Sequence, residues 1–200
     1  MSVNLQKGQK VELRKANGGS LRKVVVGLGW DEAKKSPRSL FSFRPSQNID
    51  CDASAFICSN GCLEYTDNIV FFNNLRHKSG CVVHMGDNLT GAGDGDDEQI
   101  VVDLASLPAE YDRIVIVVNI YQARERKQHF GMIKNAFIRI VDADTNQELC
   151  KFNLSENYDR MTAMVFGELY RYNGGWKFNA IGQPTTDNSV GELASRFVRA

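Results

Sequence analysis

The stretch from Arg113 to Tyr121 carries Ile114, Val115, Ile116, Val117, Val118 and Ile120 with almost no polar interruption. β-Branched side chains in such a run favour a strand, and the lack of alternation places it at the centre of a sheet with both faces covered. Shorter strand patterns surround it in the chain. Val11 and Leu13 alternate with polar neighbours, and Val24 to Val26, Ala55 to Cys58, Ile69 to Phe72, Cys81 to His84 and Ile100 to Leu104 form compact apolar runs. Ala136 to Val141 alternates, as do Trp176, Phe178 and Ala180 against Lys177 and Asn179. Turn signals punctuate them at Asn17-Gly18-Gly19, Asn60-Gly61, Ser79-Gly80, Asp144-Thr145-Asn146 and Asn173-Gly174-Gly175. Helical spacing is confined to Gly191 to Val198, with a turn or two expected at Gln128 to Ile133 and Ser155 to Tyr158. About ten strands and little helix predict an all-β fold, a two-sheet antiparallel β-sandwich with a short C-terminal helix. No repeat or linker divides the chain, so residues 1–200 are expected to form a single domain.

At 42% hydrophobic and zero formal net charge, the chain falls outside the disordered class. Its apolar runs are far shorter than the roughly 20 residues of a membrane span, and Met1 to Lys7 shows no apolar signal core. A cytoplasmic location is the expectation. Five cysteines, Cys51, Cys58, Cys62, Cys81 and Cys150, fit free thiols in a reducing compartment better than a disulfide framework. Cys58 and Cys62 lack the further ligands that a zinc site needs.

Zero net charge hides segregation. Residues 1–49 carry +7, residues 50–112 carry −10 and residues 113–200 carry +3. An acidic middle argues against nucleic acid, which needs a concentrated basic stripe. Its densest part is Gly86-Asp87-Asn88-Leu89-Thr90-Gly91-Ala92-Gly93-Asp94-Gly95-Asp96-Asp97-Glu98, with five carboxylates in thirteen residues and no Lys or Arg. Within roughly 6 Å of one another, like charges cost about 2–3 kcal/mol per pair at an effective dielectric near 20. A folded loop of this kind calls for a cation, and interleaved glycines let main-chain carbonyls join the carboxylates. Hard oxygens in a loose geometry suit Ca²⁺ first and Mg²⁺ second. The spacing is not that of an EF-hand, since a count from Asp94 puts Gln99 where the glycine belongs. Other carboxylates and amides stand at strand ends: Asp31 after Gly29-Trp30, Asp50 and Asp52 on one side of an extended backbone, and Asn73-Asn74 after the Ile69 strand.

These segments, in this order, resemble the TerD domain, the tellurium-resistance and stress-protein family. The matching pieces are Val3 to Gly8, Val26 to Asp31, Asp50 to Phe56, Phe71 to Leu75, the acidic loop, Gly167 to Arg171, and Trp176 to Phe178 continuing to Gly182-Gln183. The resemblance implies a β-sandwich that binds two Ca²⁺ ions through loops at one end, in a bacterial, cytoplasmic protein with no established catalysis. It implies metal ligands drawn from Asp50, Asp52, Asp87, Asn88, Asp94, Asp96, Asp97 and Glu98, with Asp31 and Asn74 as outlying candidates. It also implies a role in resistance to tellurite and other chemical stress, through a protein partner in a stress-response complex, at a membrane or away from one. The chain departs from the family at Cys51, where an apolar residue such as Leu is commoner, and in a longer, basic stretch between Asp31 and Asp50.

Two other functions compete with a non-enzymatic calcium module. In a metal-dependent phosphoester hydrolase, clustered carboxylates would hold cations and His84 would act as base. In a calcium-dependent lipid binder, Leu40, Phe41 and Phe43 near Arg38 and Arg44 would touch anionic headgroups. The Gly91-x-Gly93-x-Gly95 pattern lacks the phosphate-binding Lys of a nucleotide cradle.

Overall fold

The computed structural model describes residues 2–15, 17–32, 49–87, 95–154, 156 and 158–199. Its strands are β1 (Val3–Leu5), β2 (Lys10–Leu13), β3 (Lys23–Glu32), β4 (Cys51–Cys58), β5 (Ile69–Val70) and β6 (Val82–Asp87), followed by β7 (Glu98–Asp103), β8 (Arg113–Ile120), β9 (Ile133–Asp142), β10 (Gln147–Asn153), β11 (Ala163–Tyr172) and β12 (Gly175–Thr185). They form two six-stranded sheets, β1-β10-β9-β3-β7-β6 and β2-β12-β11-β8-β4-β5, packed face to face. Two short helices complete the description, α1 (Ala123–Arg126) and α2 (Val190–Ser195).

The apolar run from Ile114 to Ile120 is β8, flanked by β4 and β11. Ile114, Ile116, Val118 and Ile120 point between the sheets, whereas Val115 and Val117 point outward into a second apolar cluster with Phe56, Cys58 and Ile69. Leu193 and Ala194 of α2 close that outer cluster, with Phe197 edge-on to Phe56 at 5.6 Å. Each such side chain, fully withdrawn from water, contributes about 1.5–3 kcal/mol. The helix starts where Ser189 Oγ accepts the Glu192 N–H at 3.2 Å while the Glu192 carboxylate accepts the Asn188 N–H at 2.8 Å, closing both ends of its first turn.

Several boundaries differ from expectation. One pair is parallel, β1 beside β10, because the chain leaves β1 through a turn at Gly8 (φ 81°) and enters the other sheet as β2. That crossing fixes the direction of β1. The Ile69 to Phe72 run forms only two strand residues, since Phe71 and Asn74 exchange backbone hydrogen bonds across a tight turn. The turn expected at Gln128 to Ile133 is a 3₁₀ turn at Phe130–Met132, and the expectation at Ser155 to Tyr158 falls partly outside the described residues. No helix among the described residues is long and apolar enough to cross a membrane.

The acidic stretch connects β6 to β7. Asp87 is the last residue of β6 and Glu98 the first of β7, and the two are directly opposed in the ladder. The ends of β3 and β6 and the starts of β7 and β4 share one end of the sandwich.

Candidate functional site

Residues 95–98 fold back over β3. The Asp97 N–H reaches Leu28 O at 2.7 Å, and the preceding carboxylate, Asp96, lies flat on the outer face of the sheet above Gly27. A Cβ at Gly27 would sit 2.2 Å from Asp96 Oδ2, so only glycine leaves room for this side chain. Arg139 of β9 holds it with two bonds, Nε to Oδ1 at 2.7 Å and Nη2 to Oδ2 at 3.1 Å, and Gln99 Nε2 adds a third at 3.0 Å. The other flank of Arg139 meets Glu148 at 3.5 Å. Asp96 is therefore neutralised from within the chain, and its chemistry is that of an anchor for the loop exit.

Asp97 behaves differently. Its Oδ2 accepts the Trp30 N–H at 2.7 Å, yet desolvation pushes its carboxyl above the ordinary value, and Asp31 and Asp96 push the same way. Asp31 is exposed at the end of β3 and accepts from Asn135 Nδ2 at 2.8 Å. Trp30, Asp31, Gly95, Asp97, Asn135 and Phe137 line an open cleft of about 510 Å³ on this rim.

Glu98 turns inward. Its side chain is 4% exposed and its Oε2 accepts the Ala53 N–H, so the start of β7 grips β4 of the opposite sheet. His84 Nδ1 accepts the Gly86 N–H at 3.0 Å, which leaves the ring proton on Nε2, 3.8 Å from Glu98 Oε2. Cys51 faces the same inter-sheet space. Burial first, and then the charges of Glu98, Asp52, Asp50 and Asp97, hold its thiol well above its ordinary value. Asp50 and Asp52 share the parity of Phe56 and so project from the other face of β4, where Asp50 meets Arg126 at 3.8 Å.

The candidate ligands thus gather at one end but are spread around it. Asp97 and Asp31 stand on the rim, Glu98 between the sheets, Asp50 and Asp52 outside β4, and Asp96 on the outer face of β3. Asn74 closes its own turn, donating from Nδ2 to Ile69 O at 2.7 Å. Asp87 is placed by its backbone at the loop entrance. Asn88 and Asp94 lie outside the described residues, as do Leu40, Phe41, Phe43 and the basic residues near them. Among the described residues, no three His, Cys, Asp or Glu side chains converge tightly enough to enclose a metal ion. The hard-oxygen donors Asp97, Asp31 and Glu98 suit Ca²⁺ in kind, whereas Asp96 does not, both its oxygens being held by Arg139.

Sequence reasoning did not find Gly27 or Arg139. Gly27 sits inside an apolar strand and Arg139 alternates with Ile138 and Ile140 as any half-buried strand residue does, so neither carries a signal of its own. His77 and His129, which show no carboxylate nearby in sequence, separate in the structure. His77 is buried and faces Ser79 Oγ at 2.8 Å and Asn68 Oδ1 at 3.1 Å, while His129 lies 3.3 Å from Asp159.

Residues 1–197 match the TerD domain family. The chain is 46% identical over 201 residues to the stress response protein SCP2 of Bacillus subtilis (strain 168), covering 99% of this chain and 100% of that protein. It is also 46% identical over 184 residues to the tellurium resistance protein TerD of Serratia marcescens, covering 92% of this chain and 91% of that one. The fold is also that of a crystal structure of a protein of unknown function, SAV2460, with a TM-score of 0.68 at 24% identity over 90% of this chain and 99% of that one. A match that runs from the first strand through α2, with one relative aligned along its whole length, places this chain in the TerD domain family.

Proposed function

We propose that the chain is a non-enzymatic calcium-binding module of the stress response, and that its bound ions order the acidic end of the sandwich for a partner protein. One observation carries the reading: Asp87 and Glu98 are opposed in the ladder at the neck of the acidic loop, with Asp97 adjoining. Carboxylates brought to one neck of the chain repel, and a divalent cation in the loop removes that penalty. The upward push on the Asp97 carboxyl by burial, Asp31 and Asp96 supports the same need. Ligands are drawn from Asp87, Asn88, Asp94, Asp97, Glu98 and Asp31, with Asp50 and Asp52 on the far side of β4 serving a second ion. Asp96 is the anchor that holds the loop exit in place. A role in tellurite and chemical-stress resistance follows from the names of the relatives.

A hydrolytic reading receives less support. The His84 side chain is 1% exposed and is held between the Gly86 amide and Glu98, so it has no open path to a substrate.

Titrating Ca²⁺ into chelator-treated protein tests the proposal by calorimetry and melting. Binding to the folded state alone at a hundredfold excess over Kd stabilises by about 2.7 kcal/mol. Asp97→Asn is expected to weaken the heat of binding without unfolding the protein. No heat and no melting shift at millimolar Ca²⁺ would overturn the reading.

A further inference from the structure

The end of the sandwich away from the acidic loop holds a second cleft, of about 460 Å³. It opens where β4 finishes and β8 begins, between the turn after Cys58, the 3₁₀ turn Thr66–Asn68 and the segment leading to Arg113. Its walls are tied together. Ser59 Oγ donates to Glu110 O at 2.9 Å, the Asp112 N–H reaches Cys58 O at 3.1 Å, and Asp112 Oδ1 accepts the Gly61 N–H at 3.1 Å. A preformed cleft of that size suits a small molecule.

One of its lining side chains, Asn68, is only 1% exposed, and a buried relay fixes which way its amide points. The Cys81 N–H donates to Ser79 Oγ at 3.2 Å, Ser79 Oγ lies 2.8 Å from His77 Nδ1, and the Ser79 N–H reaches that same nitrogen at 3.3 Å. Burial first, and then the Lys78 charge, hold His77 below its ordinary value, so the ring is neutral with its proton on Nε2. Nε2–H donates to Asn68 Oδ1 at 3.1 Å, which leaves Asn68 Nδ2 to the cleft. No hydrogen bond among the described residues takes its two N–H groups. An amide so deeply buried calls for an acceptor in the cleft.

Charges of both signs surround that amide. Lys78 Nζ stands 5.6 Å from the centre of the Tyr65 ring and beside the Tyr111 hydroxyl, while Glu64, Glu110 and Asp112 share the same lining. Among the described residues, no ion pair joins that ammonium to any of the three carboxylates. A lone cation entering the cleft is repelled by Lys78, and a lone anion by the carboxylates. We propose that this cleft binds a small zwitterion, an amino acid, with its carboxylate on Lys78 Nζ and Asn68 Nδ2 and its ammonium among Glu64, Glu110 and Asp112. Each contact is a charge-assisted hydrogen bond, the stronger class. The site lies apart from the acidic end and uses no calcium, so it stands or falls independently of the calcium reading.

The test titrates the isotope-labelled full chain with glycine, β-alanine and γ-aminobutyrate, which differ in the distance between their charges. Butyrate and butylamine, with one charge each, are the controls. Binding is read by calorimetry and by the NMR signals of the asparagine side-chain amides. The expected result is that one of the amino acids shifts the Asn68 Nδ2 signals and binds about tenfold or more tightly than either control. Lys78→Met and Glu110→Gln, at exposed positions, should each weaken it about tenfold with melting unchanged. Asn68→Asp keeps an oxygen for His77 but replaces the two donors with a carboxylate oxygen, and should abolish binding. Should that variant not fold, the Lys78 and Glu110 variants decide. Absence of both heat and amide shifts at millimolar amino acid overturns the proposal, as do folded variants that bind like the unmodified chain. Butylamine that binds as tightly as the amino acids also overturns it, by reducing the cleft to an acidic surface.

Discussion

Gly27→Ala is a small substitution with a large predicted effect. The new methyl would fall 2.2–2.4 Å from all three carboxylate atoms of Asp96, a short side chain with no slack because Arg139 holds both its oxygens. The carboxylate must leave, and the pair breaks. Exposed ion pairs are worth about 0.2–1 kcal/mol, and breaking a buried one costs about 3–5 kcal/mol. With the Asp96 side chain 1% exposed and Arg139 31% exposed, the case lies between them, at about 2–3 kcal/mol. Alanine returns up to about 0.5–1 kcal/mol through its lower backbone entropy cost. The net loss is about 2 kcal/mol, or a fall in melting temperature of roughly 4–8 °C for a domain of this size. Thermal unfolding of Gly27→Ala, Asp96→Ala and the double variant checks this. In the Asp96→Ala background the Gly27→Ala change should be neutral or stabilising, a reversal of sign. Equal destabilisation in both backgrounds, or none in the native one, would refute the argument that Gly27 exists to admit Asp96.

Burial pushes the thiols of Cys58 and Cys150 up to about 12 and that of Cys51 well above its usual value, while Cys62 is the partly exposed one. Brief iodoacetamide treatment of native protein should therefore modify Cys62 first, read by peptide mass spectrometry, with the buried thiols reacting only on unfolding. Although burial pushes the Asp187 carboxyl up, hydrogen bonds from Arg196 and Thr185 outweigh it and hold it below its ordinary value. Its contribution is thus present above the ordinary carboxylate range and is lost as pH falls through the depressed folded value. Arg196 is nearly half exposed, so Arg196→Gln should cost at most about 1 kcal/mol at neutral pH. The melting difference from the unmodified chain should narrow below about pH 4. A difference that stays constant through acidification would contradict this.

The parts of the fold that were legible in sequence are those whose pattern one segment carries. β8 announces itself because both its faces are apolar, and a C-terminal helix because Leu193, Phe197 and Val198 fall at helical spacing, although α2 ends at Ser195 before the last two. β10 was not legible, because Gln147 to Lys151 is mostly half-buried with a bulge between Glu148 and Cys150 that breaks its alternation. β11 hides for a related reason: Gly167, which lies against the Phe178 ring, interrupts its apolar run beside another register shift. At the candidate site, the same-side placement of Asp50 and Asp52 followed from period two. The division of the acidic stretch among three surroundings did not, since Arg139 lies 43 residues from Asp96 and Ala53 lies 45 from Glu98. Neighbouring carboxylates in one short stretch look alike until distant strands sort them.

The placement of β1 and β2 bears on how the chain is made. Val3 to Leu5 rest against Cys150 to Phe152, and Lys10 to Leu13 against Trp176 to Asn179. β1 and β2 thus have no strand to join until β10 and β12 have been translated. During synthesis the sandwich stays open along one side, with Leu5 and Leu13, both core residues in the finished fold, exposed to solvent for most of that interval. Assembly closes last along β1 and β2, and late closure of such non-local pairings is slow.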